Sequence, residues 1–119
     1  MNTTPLPSLF LSHGSPMMAL EDSPTARFLD QLGTSLPKPR AVVVASAHFM
    51  KGMPTLTSNL APETIHDFGG FPKPLYEIQY PARGAPELAQ EIAAHLSASG
   101  FEAEVDEHTG IDHGTWVPL

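Results

Sequence analysis

The chain has 119 residues, six basic against 13 acidic side chains, and no cysteine. The absent thiols exclude disulfide scaffolds and thiolate zinc sites, and a net charge of −7 argues against nucleic acid or an anionic membrane as partner. Thirteen prolines, roughly twice the usual share of about 5%, imply a fold punctuated by stiff loops.

The segment from Met1 to Ser8 has neither the basic nor the apolar run of a signal peptide. No apolar run approaches the roughly 20 residues of a membrane span. A cytoplasmic protein is the expectation.

Leu9-Phe10-Leu11 is a short apolar run stopped by Gly14 and Pro16, as a strand would be. Ser23-Pro24 reads as an N-cap with proline in the first helical turn. Phe28, Leu29 and Leu32 then share a face, and Gly33 is the expected stop. Pro37 and Pro39 form a stiff connector. Ala41-Val42-Val43-Val44-Ala45 is continuously apolar and β-branched, the pattern of a parallel strand covered on both faces. A third strand is expected over 55–60. Residues 61–85 hold four prolines and the Gly69-Gly70 pair, and read as a long ordered loop.

Residues 86–99 carry the strongest helical pattern. Leu88, Ala89, Ile92, Ala93 and Leu96 make the apolar stripe, Glu87, Glu91 and His95 the polar one, and Gly100 the stop. Residues 101–105 alternate as an exposed edge strand does. This order of elements implies an α/β fold: a mainly parallel, mixed sheet flanked by helices in three layers. The last ten residues hold the only tryptophan and further apolar side chains. They read as the entrance to another element, so the expectation is the N-terminal portion of a longer, truncated domain.

Six histidines without cysteine are the chemical hint. His13 and His48 each follow the carboxyl end of an expected strand, where open α/β sheets bind ligands. Two neutral imidazoles there can meet on one zinc, copper, nickel or iron ion. The alternative is a histidine that ends a strand and bonds the backbone. His113, in Asp112-His113-Gly114, is a general acid/base, a third ligand or part of a polar turn. Asp112 is a candidate to orient it, although adjacent residues rarely face each other. His66, with Phe68 and Phe71, either walls a pocket or pins the long loop; pinning is favoured. His95 and His108 read as exposed. Ser15 and Ser46 lack the Gly-x-Ser-x-Gly elbow, no phosphate-binding glycine loop occurs, and Glu107 and Asp112 do not make a glycosidase pair.

Five motifs occur in order: Ser12-His13-Gly14-Ser15-Pro16, Ser46-Ala47-His48-Phe49, His66-Asp67-Phe68-Gly69-Gly70-Phe71-Pro72, Leu75-Tyr76 to Tyr80-Pro81-Ala82-Arg83-Gly84, and Asp112-His113-Gly114-Thr115-Trp116-Val117-Pro118-Leu119. The set resembles the class III extradiol ring-cleavage dioxygenases, in particular the 4,5-DOPA type. The resemblance implies a non-haem metal site that opens a catechol ring beside its paired hydroxyls with O₂. Ferrous iron is the working metal of such enzymes, and zinc is found in its place. His13 and His48 match two metal ligands, and His113 a catalytic histidine near the substrate. Members of the family are longer, with further ligands in the remainder, and residues 1–119 would be the N-terminal part of one catalytic domain. Surface that the remainder would cover favours self-association. Two other readings stay open: a non-catalytic metal-binding or assembly fragment, and a zinc hydrolase using the same histidines.

Overall fold

A computed structural model describes residues 4–119. Met1, Asn2 and Thr3, part of the segment read for a signal peptide, lie outside the described residues. In chain order the elements are a 3₁₀ turn at Pro16–Ala19, α1 at Pro24–Ser35, β1 at Thr55–Thr57, α2 at Lys73–Glu77, α3 at Pro86–Ala98, β2 at Glu104–Asp106 and α4 at His113–Trp116. Among these residues no helix is long and apolar enough to cross a membrane.

The helices follow their local signals. The Ser23 hydroxyl accepts the Ala26 amide at 3.1 Å, with Pro24 opening α1. The helix runs two residues past the expected stop at Gly33, to Ser35. The hydroxyls of Thr34 and Ser35 bond back to carbonyls of the preceding turn, and Pro37 lies just beyond. α3 buries Ala89 and Ala93 of its predicted stripe. It closes as a Schellman cap: Gly100 takes φ +91°, its amide bonds Ser97 O, and the Phe101 amide bonds Leu96 O.

β1 and β2 pair in parallel, with Thr55 opposite Glu104, Leu56 opposite Val105 and Thr57 opposite Asp106. Parallel neighbours need a long crossover, and α3, inside it, packs on both strands. A second parallel bridge, Thr64 with Ile111, continues the association. The α/β character and the parallel pairing are therefore as expected.

The strand assignments need correction. Among the described residues, 9–11 and 41–45 form no strand, and the third strand covers 55–57 only. Phe10 is fully exposed, and Val42 and Val43 are more than half exposed. β-propensity describes a side chain suited to a covered sheet, but a strand exists only through its partner's hydrogen bonds, and no described residue pairs with these two segments. The strand expected at 101–105 is displaced to Glu104–Asp106 and pairs directly with β1.

Residues 61–85 are ordered around α2. Leu75, on this helix, is fully buried and packs in the core with Met18, Trp116 and Val117. The Thr64 hydroxyl accepts the Tyr80 amide at 2.8 Å and so closes the loop. Truncating Leu75 to alanine leaves a cavity where few neighbours can collapse. We expect Leu75→Ala to cost about 2–5 kcal/mol, measured by urea unfolding.

Asp106 organises the exit from β2. It accepts the His108 amide at 2.8 Å and the Thr109 hydroxyl, and lies 3.3 Å from Lys51 Nζ. The Thr109 hydroxyl, the His108 amide and Lys51 hold its carboxyl down, to about 2. A depressed carboxylate stabilises the fold fully above its unfolded pKa of about 3.9, and that contribution is lost as pH falls through the folded value. Between pH 5 and pH 2, thermal stability should therefore fall less steeply for Asp106→Ala than for the unaltered chain.

Candidate metal centre

Three turns carry the histidines. His13 precedes Gly14, whose φ of +59° reverses the chain there. His48 follows Ser46 in a turn where the Ser46 hydroxyl accepts the His48 amide at 3.2 Å. His113 opens α4. Far apart in sequence, the rings converge: centroids lie 4.8 Å apart for His13 and His48, 5.1 Å for His13 and His113, and 4.1 Å for His48 and His113. His113 is buried, His13 half-buried and His48 exposed. The set thus has a closed side and an open side.

The nitrogens suit a cation. One candidate donor atom from each ring lies within 4.8 Å of the others. Two imidazole nitrogens on one zinc-like ion, each at about 2.0–2.1 Å, are about 3.4 Å apart in a tetrahedron and at most about 4.2 Å apart. The His13 and His48 Nε2 atoms, 2.9 Å apart, need to open slightly, and the widest pair needs to close slightly. His13 Nδ1 and His113 Nδ1 are buried and without an aligned hydrogen-bond partner. Buried polar nitrogens are rarely left so, while His13 and His48 bring their Nε2 atoms to within 2.9 Å of each other.

Asp67 is the neighbour of His113 that the sequence did not single out. Its Oδ1 accepts the His113 backbone amide at 2.9 Å and lies 2.9 Å from the ring's Nδ1, which is not aligned with it. Desolvation pushes the Asp67 carboxyl up, but the His113 amide and ring outweigh it, and the group sits below its usual value. Asp112, expected as the orienting carboxylate, instead accepts the Ser46 hydroxyl at 2.6 Å. Asp67 lies inside the His66-to-Pro72 motif, between His66 and Phe68. Only the fold shows that Asp67 meets a residue 46 positions away.

The other histidines stand apart from this group. His66 Nε2 lies 2.8 Å from Ile78 O and its ring packs against Trp116 and Phe68, while Phe68 and Phe71 pack on the core and pin the loop as expected. His95 and His108 are exposed. Phe68 also turns its edge toward His113, with centroids 5.5 Å apart, and links the loop to the three-histidine group.

Gly114 permits the convergence. A Cβ there would lie 2.5 Å from Ser46 Oγ and 2.9 Å from His48 Cδ2, so the His48 turn would have to move. Gly114→Ala should cost about 1–3 kcal/mol by overpacking and weaken cation uptake, both measurable by thermal melting with and without Zn²⁺.

The family described as the catalytic LigB subunit of aromatic ring-opening dioxygenase matches residues 7–119. The chain is 47% identical over 119 residues to the 4,5-DOPA dioxygenase extradiol of Escherichia coli, covering all of this chain and 44% of that protein. It is 44% identical over 116 residues to the protein of the same name from Beta vulgaris, covering 94% of this chain and 43% of the relative. It is 37% identical to the dioxygenase tasH of Hapsidospora irregularis, over 95% of this chain and 39% of the relative. The chain thus spans less than half the length of these curated relatives. With its histidines convergent and its match running from residue 7 to residue 119, the chain belongs to the LigB family of aromatic ring-opening dioxygenases.

Proposed function

We propose that this chain supplies the histidine portion of an extradiol dioxygenase that opens a catechol, such as DOPA, with O₂. The observation that carries the reading is the convergence of His13, His48 and His113 from three distant turns. Residues 1–119 are then the N-terminal part of one catalytic domain, consistent with the share of the relatives they cover.

His13 and His48 hold the cation in this reading. Ferrous iron would supply the redox chemistry that joins O₂ to the ring, and zinc the same coordination without it. A catechol presents two adjacent hydroxyls, and the exposed side of His48 leaves room for its approach. His113, buried beside them, takes a phenolic proton as general base, a task suited to imidazole near neutral pH. The Asp67 carboxylate beside the ring stabilises the charge that this transfer creates. Phe68 lies against the His113 ring, with centroids 5.5 Å apart, and walls its buried side.

The test is ring cleavage with ferrous iron, read as O₂ consumption and a yellow ring-fission product from DOPA. The expected result, in the full-length protein that contains this chain, is product from the unaltered form, loss of metal with His13→Ala, and bound metal without turnover in His113→Ala. Stoichiometric iron binding with no ring-fission product from any catechol would overturn the enzymatic reading. It would favour the second one, a metal-binding assembly piece, which the exposed Leu9, Phe10, Val42 and Val43 support. Concentration-dependent self-association in sedimentation would accompany that outcome.

A further inference from the structure

α4 has four residues and Asp112 at its N-cap, yet the Asp112 side chain does not cap it. An N-cap aspartate ordinarily accepts an amide of the first turn of its own helix. Here Asp67 comes from the long loop and takes the His113 amide at 2.9 Å. The Asp112 carboxylate turns instead to Ser46, 66 positions away, and accepts its hydroxyl at 2.6 Å. Ser46 Oγ in turn accepts the His48 amide at 3.2 Å. A continuous path of hydrogen bonds therefore runs from the turn that carries His113 to the turn that carries His48. Its carboxylate end is buried, with Asp112 7% exposed. Neither Ser46 nor Asp112 belongs to the three-histidine group.

We propose that Asp112 is a positioning residue of the metal centre: through the Ser46 hydroxyl it holds the His48 turn against the His113 turn. The proposal rests on the metal-centre reading above. Its physical basis is conformational entropy. The His48 turn is exposed and lies outside regular structure, so without the tie, binding must also order it. With the tie, the imidazoles converge before a cation arrives. Gly114 makes the tie possible, because a side chain there would displace Ser46 Oγ.

The experiment uses Zn²⁺ and Co²⁺ with the full chain. Affinity is read by competition with a chromogenic chelator, and ligand geometry by the visible absorption of bound Co²⁺. Outer partners of metal ligands are typically worth about 10–100-fold in affinity. Ser46→Ala and Asp112→Ala should each weaken binding by that order and change the Co²⁺ spectrum. The double variant should be no weaker than Asp112→Ala alone, because both remove one path. Asp112→Asn keeps an oxygen acceptor for the hydroxyl and should restore both affinity and spectrum. Unchanged affinity and spectrum in Ser46→Ala, the milder change, would overturn the proposal and leave the metal-centre reading standing. Asp112→Asn binding as weakly as Asp112→Ala would also overturn it. No uptake of either cation by the unaltered chain would overturn both.

Discussion

The approach of residues 110–114 to residues 63–67 is the contact on which the site depends. It starts as a parallel bridge, with the Ile111 amide on Glu63 O at 2.7 Å and the Ile65 amide on Ile111 O at 2.8 Å. Gly110 allows it, since a Cβ there would fall 2.4 Å from Glu63 O. Two residues on, Asp67 takes the His113 amide, and the Trp116 indole donates to Ile65 O at 2.8 Å. Backbone pairing at Ile111 thus brings His113 within reach of the Asp67 side chain.

The apolar core serves the same contact. Trp116 and Val117 sit on Leu75 of α2, with Met18 from the turn after His13. Burying these side chains ties three segments together: the turn beyond His13, the long loop and the helix that begins with His113. The hydrophobic effect has no direction, so it gathers the segments, and the hydrogen bonds of Asp67, Ser46 and Asp112 set their alignment. The two carboxylates act on different partners. One caps the His113 amide and the other reaches the His48 turn.

Much of this was legible in the sequence where the signal is local. Ser23-Pro24 opens a helix because a side-chain acceptor and a fixed φ act within one turn. The stripe of α3 and the Gly100 cap are equally local. The histidines stood out by type and by place, after apolar runs and beside glycines. Residues 9–11 and 41–45 have strand composition but no strand pairing among the described residues, for a physical reason. Their composition suits burial between layers, but a strand is defined by a neighbour, and no described residue pairs with them. The Asp67–His113 and Ser46–Asp112 bonds are not legible in the sequence because each joins positions far apart in the chain. Neither leaves a periodicity or a spacing to find.

By itself, the sequence determined α1 and α3 with their Ser23 and Gly100 caps, the α/β character, the stiff proline-marked loop and the set of residues able to hold a metal. These follow from interactions within a few residues or from side-chain chemistry alone. Tertiary structure alone decided which segments pair as strands, which carboxylate meets His113, and that three histidines from separate turns share one place. Those outcomes depend on contacts between residues as distant in the chain as His13 and His113. Such contacts form only when burial of the core has already met the entropic cost of bringing distant segments together.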